Sequence, residues 1–240
     1  MIKNLEYKPA ETTVMILAAG EGRRMLPLTQ KKPKPLLKIG SFCLIEHHLH
    51  RLSELGFNNI VINTAYLGHL IQQQLGDGSK YQLQISYSDE SNTGALETAG
   101  GIVKALPLIE SENFLVINAD IWTNFNFTQL LSPMKTKGRL VLVNNPSHNS
   151  NGDFFLNNNK VRSITRHKQF SQNNSKSYTF SGVAHYKKST FSNLQIGRQA
   201  LAPVLNALSQ EQNLEGIIHN GEWADIGTPE RLEEIQKRFR

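Results

Sequence analysis

The stretch VMILAAGEGRRMLPLTQKKPKPLLKIG, residues 14–40, constrains the fold more than any other part of the chain. A short apolar run ends at two closely spaced glycines, Gly20 and Gly22, and a series of arginines and lysines follows. Glycine lets backbone N–H groups approach an anion closely, and Arg and Lys neutralise its charge. The pattern therefore predicts a buried strand that opens into a phosphate-binding loop.

Two widespread phosphate loops do not match this stretch. A Walker A loop needs a Gly followed five residues later by Gly-Lys-Ser/Thr, and that spacing is absent from the sequence. A dinucleotide-binding fingerprint needs a third glycine at the position of Met25. The sequence thus disfavours both a P-loop enzyme and a dinucleotide-dependent oxidoreductase.

Length and composition indicate one globular domain over residues 1–240. A chain of 240 residues with 39% hydrophobic residues can bury one substantial core. The apolar run at residues 14–19 is too short for a signal peptide or a membrane span, so we expect a cytoplasmic protein without a membrane partner. The single cysteine, Cys43, excludes an internal disulfide, and we expect it to pack near a helix start.

The basic charge predicts an anionic ligand. The formal net charge is +6, and several cations cluster directly after the glycine turn. No aromatic residues alternate with them to stack on bases, which favours a compact polyphosphate over nucleic acid. For Lys31, Lys32 and Lys38 a solvated surface position is an equally good interpretation.

The hydrophobic pattern alternates between strands and helices in the first 150 residues. Strands are predicted at residues 14–18, 59–63, 83–87, 114–118 and 139–144, and helices at residues 44–55, 66–75 and 98–109. This order predicts an α/β fold: a Rossmann-like, mostly parallel sheet flanked by helices on both faces.

After Pro146 the pattern becomes typical of antiparallel structure. FFLNNNKVRSI predicts a hairpin with an asparagine turn, and SYTFSGVAHY predicts another strand. The polar segment at residues 165–176 is predicted to be a loop. A last helix should begin at Thr228-Pro229 and bury the side chains of Leu232, Ile235 and Phe239.

Acidic residues follow two of the predicted strands. Ligands of open parallel sheets bind beyond the carboxyl ends of the strands, which is where Asp120 stands. Asp225 follows another short strand in WADIGTPERL. Two carboxylates on one Mg²⁺, with an Arg and a Lys, would suit phosphoryl transfer. For Asp225 a helix-capping role remains the alternative.

The motifs LAAGEGRRMLPLT and KPKPLL resemble the opening signature of the sugar-1-phosphate nucleotidyltransferases. LETAGGIVKALP, FLVINADIWTNFNF, LVLVNNPSHNSNGDF, YTFSGVAHY and GEWADIGTPERL extend the resemblance over about residues 14–239. Within the family, the combination is most similar to the branch that joins UTP and N-acetylmuramic acid α-1-phosphate in bacterial cell-wall recycling.

The resemblance implies a role for each matching position. The implied catalytic residues are Arg24, Lys34 and Asp120, and the implied Mg²⁺ ligands are Asp120 and Asp225. The implied nucleotide-binding residues are Leu17, Ala18, Gly20, Gly22, Arg23, Arg24, Lys34, Glu97, Gly100 and Asn118. The implied sugar-binding residues are Asn144, Asp153, Ser181 and Gly182. Arg166, His167 and Lys168 are candidates to face the lactyl carboxylate of a muramyl substrate.

Other functions remain open at the level of sequence. One is transfer of a uridylyl, thymidylyl or guanylyl group to another hexose 1-phosphate, and another is a nucleotide-binding module without catalysis. The oligomeric state is also open. His47, His48 and His50 could suggest a metal site, but their spacing spreads them around a helix, which favours ordinary roles.

Overall fold

The computed structural model describes residues 7–164 and 176–239. The strands in this part of the chain are β1 Val14–Leu17, β2 Lys38–Ile39, β3 Phe42–Cys43, β4 Asn59–Thr64, β5 Gln84–Asp89, β6 Asn113–Asn118, β7 Ile121–Thr123, β8 Gly138–Val143, β9 Phe154–Asn157, β10 Lys160–Ser163, β11 Ser177–Lys187, β12 Leu214–Ile218 and β13 Trp223–Asp225. The α-helices are α1 Leu44–Glu54, α2 Gly68–Leu75, α3 Glu97–Ala105, α4 Leu201–Gln210 and α5 Pro229–Lys237. Arg166, His167 and Lys168 lie outside the described residues.

A nine-stranded sheet forms the centre, in the order β5-β4-β1-β6-β11-β8-β12-β10-β9. The strands β5, β4, β1 and β6 are parallel to one another. Strand β11 is antiparallel to both β6 and β8, and β9 and β10 form an antiparallel hairpin at the far edge. The predicted α/β fold, with a parallel section and an added antiparallel section, is confirmed.

Both faces of the sheet are buried, as the continuous apolar strands predict. In β1, Val14 and Ile16 share one core cluster with Leu49 of α1, and this cluster also includes residues of α2. Met15 points to the opposite face, where it shares a second cluster with Ile102 of α3 and with residues of α4. The period of two in the strand thus places helices on both sides of the sheet.

The turns follow the local chemistry of the sequence. Asn158 and Asn159 connect β9 to β10 with positive φ angles of 46° and 61°, a conformation that asparagine tolerates better than most residues. Cys43 is the N-cap of α1, and its backbone N–H donates to the Glu46 carboxylate at 2.9 Å. Burial, with a contribution from Glu46, raises the pKa of the Cys43 thiol to about 12. The predicted hairpin and the predicted place of Cys43 are both confirmed.

Helix ends differ from the predicted bounds where local sterics intervene. Leu67 has a left-handed φ of 51°, so α2 begins at Gly68 and not at residue 66. A Cβ at Gly68 would lie 2.8 Å from the Thr64 Cβ, which requires glycine at this close approach to β4. The helix α3 ends at Ala105, because the segment that contains Pro107 continues as a 3-10 turn.

The C-terminal helix α5 packs against the glycine-rich loop. A third apolar cluster joins the loop and β2 to α5 through Met25, Ile39, Leu232 and Ile235. This contact places the end of the described chain directly beside the residues that follow β1. The helix α5 therefore packs against the loop after β1, although more than 200 residues separate them in the sequence.

The predicted start of α5 is confirmed, with Thr228 as its N-cap and Pro229 as its first residue. Leu232 and Ile235 are buried as predicted. The predicted burial of Phe239 is wrong, since 39% of this residue is exposed. The helix ends before Phe239, so its ring lies on the surface instead of on the packed face. None of the helices in the described part of the chain has the length and apolarity that a bilayer crossing requires.

Candidate active site

A cleft of about 370 Å³ opens at the carboxyl ends of the parallel strands. The end of β1, the loop after it, the end of β6 and the start of α3 form its walls. Predicted site residues that line it are Leu17, Ala18, Gly20, Gly22, Arg23, Arg24, Lys34, Glu97, Asn118 and Asp120. One cleft therefore brings together most of the predicted nucleotide-binding and catalytic residues, at the edge of the sheet where α/β proteins bind ligands.

The glycine loop has two glycines with different constraints. Gly22 has a φ of +63°, and a Cβ there would lie 3.0 Å from the Thr29 Cγ2 and 3.2 Å from the Lys34 Cβ. The Thr29 hydroxyl donates to the Gly22 carbonyl at 2.9 Å and closes the loop. At Gly20 an added Cβ would meet no atom of the described residues within 4 Å. Gly22 shapes the loop, whereas Gly20 leaves open space beside it.

The two arginines of the loop are in different surroundings. Arg23 is largely solvated, with 82% of its side chain exposed, and its Nε lies 2.5 Å from the Glu21 Oε2. Arg24 lines the cleft, and it forms no ion pair with any of the described residues. The guanidinium of Arg24 is thus available to an anion in the cleft, and its contact with phosphate stays a prediction.

Lys34 and Asp120 form an ion pair across the cleft. The Lys34 Nζ lies 2.6 Å from the Asp120 Oδ2, and the lysine side chain is 8% exposed while the aspartate side chain is 37% exposed. Pro33 precedes a short 3-10 turn at Lys34–Leu36, which aims the lysine inward. A buried ammonium needs an anionic partner. In this structure the Asp120 carboxylate is that partner.

A small two-stranded ribbon brings the second predicted carboxylate near Asp120. Strands β7 and β13 pair antiparallel with Asp225 opposite Ile121, and the Ile226 N–H donates to the Asp120 carbonyl at 3.0 Å. The Asp225 Oδ2 accepts from the Arg231 Nη1 at 2.6 Å. The ribbon therefore brings the segment of Asp225 next to that of Asp120, although Asp225 is not among the described residues that line the cleft.

Comparison with known proteins identifies the family. A sequence model of the family described as nucleotidyl transferase matches residues 13–240. The chain belongs to the nucleotidyl transferase family. It is 45% identical over 229 residues to the N-acetylmuramate alpha-1-phosphate uridylyltransferase of Neisseria meningitidis serogroup B, covering 92% of this chain and 96% of that relative. A protein of the same name from Caulobacter vibrioides is 29% identical over 92% of this chain and 94% of its own length.

Solved structures show the same fold. A putative glucose-1-phosphate thymidylyltransferase from Bacillus anthracis superposes with a TM-score of 0.78 at 20% identity, over 95% of this chain and 96% of that chain. The HddC protein from Yersinia pseudotuberculosis, complexed with GMP-PN, superposes with a TM-score of 0.76 at 18% identity, over 95% of this chain and all of that chain. This nucleotidyl transferase therefore has the architecture of these two proteins.

The predicted sugar-binding residues lie in the antiparallel half, beside the cleft and not among the described residues that line it. The Asn144 Oδ1 accepts from the Lys176 Nζ at 2.8 Å. Both Asp153 oxygens are bonded within the fold, to the Phe180 N–H at 2.8 Å and to the Asn149 Nδ2 at 3.0 Å. In this structure Asp153 joins β9 to β11, so its predicted sugar contact stays a prediction.

Ser181 and Gly182 lie at a bulge of β11, next to the end of β6. Ser181 is buried, and its hydroxyl accepts from the Val183 N–H at 3.2 Å. Gly182 has a φ of +81°, and a Cβ there would lie 2.7 Å from the Asn118 Nδ2. Of the four predicted sugar residues, Gly182 is thus the one that packs against a described residue of the cleft wall.

Gly100 has a packing role that the sequence does not reveal. It is not among the described residues that line the cleft. Its N–H donates to the Gln199 carbonyl at 3.1 Å, and a Cβ there would lie 2.0 Å from the Gly197 carbonyl oxygen. The structure therefore uses Gly100 to hold the segment before α4 against α3, and does not place it with the predicted nucleotide contacts.

Among the cleft residues that are absent from the predicted set, Asn63 and Glu90 are the two buried polar ones. Asn63 lies near the end of β4 and Glu90 directly follows β5. Both are nearly or completely buried. The sequence feature that could have identified them is their position at the carboxyl ends of neighbouring parallel strands. The same feature identifies Asp120.

The three histidines of α1 line a separate groove of about 230 Å³. His47, His48 and His50 lie there with the rings of Phe42 and Phe239. His47 contacts the Ile39 carbonyl at 2.9 Å, whereas His48 is buried and its Nε2 has no hydrogen-bond partner among the described residues. Among the described residues, no group of three or more acidic, His or Cys side chains could hold a metal ion.

Proposed function

We propose that this nucleotidyl transferase joins UTP and N-acetylmuramic acid α-1-phosphate to give UDP-N-acetylmuramic acid and pyrophosphate, in the cytoplasm, as a step of peptidoglycan recycling. The main support is the 45% identity over nearly the full length of both chains to a protein of that named activity. The cleft supports the same proposal, because it brings the glycine loop, Arg24, Lys34 and Asp120 together.

The proposed reaction is an in-line displacement that needs no nucleophile from the protein. An oxygen of the sugar phosphate forms a bond to the α-phosphorus of UTP, and the bond from that phosphorus to the oxygen bridging to the β-phosphate breaks. Pyrophosphate leaves with both electrons of that bond. Two anions must meet, so the tasks of the protein are positioning and charge neutralisation. Arg24 and Lys34 have the charge and the location for this, and Gly20 leaves room for the triphosphate.

Asp120 and Asp225 are the residues that we propose to hold Mg²⁺. They fit the ion chemically, because Mg²⁺ in nucleotide sites is bound by one or two carboxylates together with substrate phosphates. Both side chains are partly exposed, and each is now paired with a cation, Lys34 or Arg231. The ion would neutralise phosphate charge as it develops. Lys34 would then be free to leave the carboxylate and contact a phosphate.

A substrate panel tests the proposal. Pyrophosphate release is measured with ATP, CTP, GTP, UTP and dTTP against N-acetylmuramic acid, N-acetylglucosamine, glucose and mannose 1-phosphates, with Mg²⁺ present. We expect the highest kcat/KM for UTP with the muramyl substrate. A site that pairs with the lactyl carboxylate should reject an analogue without it, since buried polar groups would be left unpaired.

Each other outcome of this panel identifies an alternative. Equal kcat/KM for the muramyl and N-acetylglucosamine substrates would overturn the muramyl assignment and leave a general sugar nucleotidyltransferase. A preference for dTTP or GTP would overturn the assignment of UTP. Nucleotide binding without pyrophosphate release from any pair would indicate a binding module without catalysis.

A further inference from the structure

A buried chain of hydrogen bonds crosses the floor of the cleft. The Ala18 N–H donates to the Asn63 Oδ1 at 2.8 Å, and the Asn63 Nδ2 donates to the Glu90 Oε1 at 2.7 Å. The other carboxylate oxygen, Oε2, accepts from the Leu96 N–H at 2.8 Å. Asn63 is 3% exposed and Glu90 is completely buried. Three short bonds thus connect the loop after β1 to the residue that precedes α3.

The donor and acceptor of each hydrogen bond in this series are fixed by the groups at its two ends. Ala18 and Leu96 each present a backbone N–H, which can only donate. The Asn63 amide must therefore turn its oxygen toward Ala18 and its NH₂ toward Glu90. Glu90 accepts at both oxygens, and a carboxylate is a group that offers only acceptors. The described residues show no Lys or Arg paired with Glu90.

Gly101 of α3 packs directly against the hydrogen bond between Asn63 and Glu90. A Cβ at Gly101 would lie 2.8 Å from the Asn63 Nδ2 and 2.8 Å from the Glu90 Oε1. Any side chain there would push α3 away from the two polar groups. The close packing of α3 therefore depends on a glycine that faces the Asn63–Glu90 bond.

We propose that Asn63 and Glu90 are positioning residues for the nucleotide, and this rests on the proposed function. They connect Ala18, which lines the cleft, to Leu96, which directly precedes the cleft residue Glu97. Glu97 has a φ of +60°, a conformation that is costly for a residue with a Cβ and needs support from its surroundings. Glu90 supplies that support one residue earlier. The network holds the end of β1 and the start of α3 at a fixed separation into which the nucleoside part of UTP fits.

A pair of single substitutions and their combination tests this arrangement. In Glu90→Gln the new NH₂ must face either the Asn63 NH₂ or the Leu96 N–H, so two donors meet. In Asn63→Asp two carboxylates meet. In the double variant the new carboxylate at position 63 accepts from the Ala18 N–H and from the new amide NH₂ at position 90. The amide oxygen at position 90 then accepts from the Leu96 N–H, so every bond is restored with the charge moved from one position to the other.

We expect each substitution to compensate for the loss of UTP binding that the other causes. Each single variant should weaken UTP binding and raise KM for UTP by roughly 10- to 100-fold, the effect of one unsatisfied buried polar group. KM for the sugar phosphate should change little, and kcat should change less than KM for UTP. The double variant should return to within about threefold of the wild type. UTP affinity is measured by calorimetry without sugar phosphate, and thermal melting is recorded for every variant.

Glu46→Gln is the matched control. The Glu46 carboxylate also accepts several hydrogen bonds, from the Cys43 N–H at 2.9 Å and the Tyr81 hydroxyl at 2.7 Å, but it does not line the cleft. This variant should lower the melting temperature and leave UTP affinity unchanged.

The inference is overturned if the double variant binds UTP no better than the single variants, or fails to fold. It is also overturned if the single variants change only the melting temperature, as Glu46→Gln should, or raise both KM values equally. Binding of UTP separates these failures from failure of the proposed function. A wild type that binds UTP but releases no pyrophosphate overturns the proposed function alone, and a wild type that does not bind UTP overturns both.

Discussion

At the scale of single residues, Lys34 and Asp120 determine each other's charge environment in the cleft. The Lys34 ammonium is nearly buried and lies 2.6 Å from the Asp120 carboxylate, so each group neutralises the other. Breaking a buried ion pair by removing one partner usually costs more than the pair contributes. A substitution at either position therefore changes the charge of both side chains' surroundings. Arg231 and Asp225 form a second such pair, with the Arg231 Nη1 2.6 Å from the Asp225 Oδ2.

The first prediction concerns the two carboxylates. Asp120→Asn or Asp225→Asn should keep the fold and lower kcat by roughly two to four powers of ten, if each supplies several kcal/mol of transition-state stabilisation. The measurement is steady-state pyrophosphate release at saturating Mg²⁺. Asp77→Asn, at an exposed position away from the cleft, is the control and should be unaffected. Near-normal turnover in either the Asp120 or the Asp225 variant would remove that residue from the proposed metal site.

The second prediction separates the two neighbouring arginines. Arg24→Lys keeps the charge but loses the planar fork that binds phosphate through two N–H groups, so kcat/KM should fall clearly. Arg23→Ala should have a milder effect, because the Arg23 side chain is largely solvated and paired with Glu21. Both variants are compared by kcat/KM for UTP. If Arg23→Ala were the more damaging change, the loop would present the other arginine to the triphosphate.

At the level of secondary-structure elements, the glycine loop and α3 form the two walls of the cleft, and distant elements support each of them. The loop rests on α5 through the cluster that contains Met25 and Leu232. The helix α3 is held by the segment before α4 through the Gly100–Gln199 bond.

The third prediction uses the two loop glycines as a matched pair. Gly22→Ala places a Cβ at a positive φ and 3.0 Å from Thr29, so it should destabilise the protein by about 1–2 kcal/mol. Gly20→Ala meets nothing in the described structure and should leave the melting temperature unchanged, yet fill space that the triphosphate needs. Thermal melting and UTP affinity are measured for both. A Gly20→Ala variant with wild-type affinity would show that the nucleotide does not approach this glycine.

Local features of the sequence predict most of these elements. The period of two in β1, the asparagine turn and the Thr228-Pro229 helix start each depend on neighbouring residues, and all three are confirmed. The bounds of α2 and α3 shift because left-handed Leu67 and the Pro107 turn are steric details that periodicity does not report.

Contacts between distant segments are beyond the reach of sequence patterns. The cleft position of Asp120 follows from strand order, but the Asn63–Glu90 bond depends on the register of β4 against β5. The packing of Gly100 against Gln199 depends on how the segment before α4 folds back. The prediction for Phe239 is wrong because it extends the helical spacing beyond the residue where α5 ends. The sequence predicts the family better than it predicts these contacts, because the motifs of the loop after β1 are local and specific.

On the scale of the whole molecule, the parallel half contains the cleft and the antiparallel half contains the predicted sugar residues. The two halves meet where β11 pairs with β6, through Gly182 and Asn118. Two histidines of the described chain are buried, His48 on α1 and His185 on β11. Both ring nitrogens of His185 have no hydrogen-bond partner among the described residues. Burial lowers the pKa of each imidazole to about 4, and for His185 the nearby Arg139 adds to the effect.

The last prediction is that these histidines make the folded state sensitive to mild acid. The unfolded chain binds protons at an imidazole pKa near 6.5, whereas the folded protein binds them only near pH 4. The stabilisation from each neutral imidazole is therefore complete above pH 6.5 and decreases as the pH falls toward 4, by at most roughly 3 kcal/mol each. The free energy of unfolding, measured in urea between pH 4.5 and 7.5, should stay level down to about pH 6.5 and fall below it. His185→Leu should flatten this dependence, while His69→Gln, at an exposed site, should not alter it. An unchanged slope in His185→Leu would show that His185 is not the group that titrates on unfolding, whatever the variant does to overall stability.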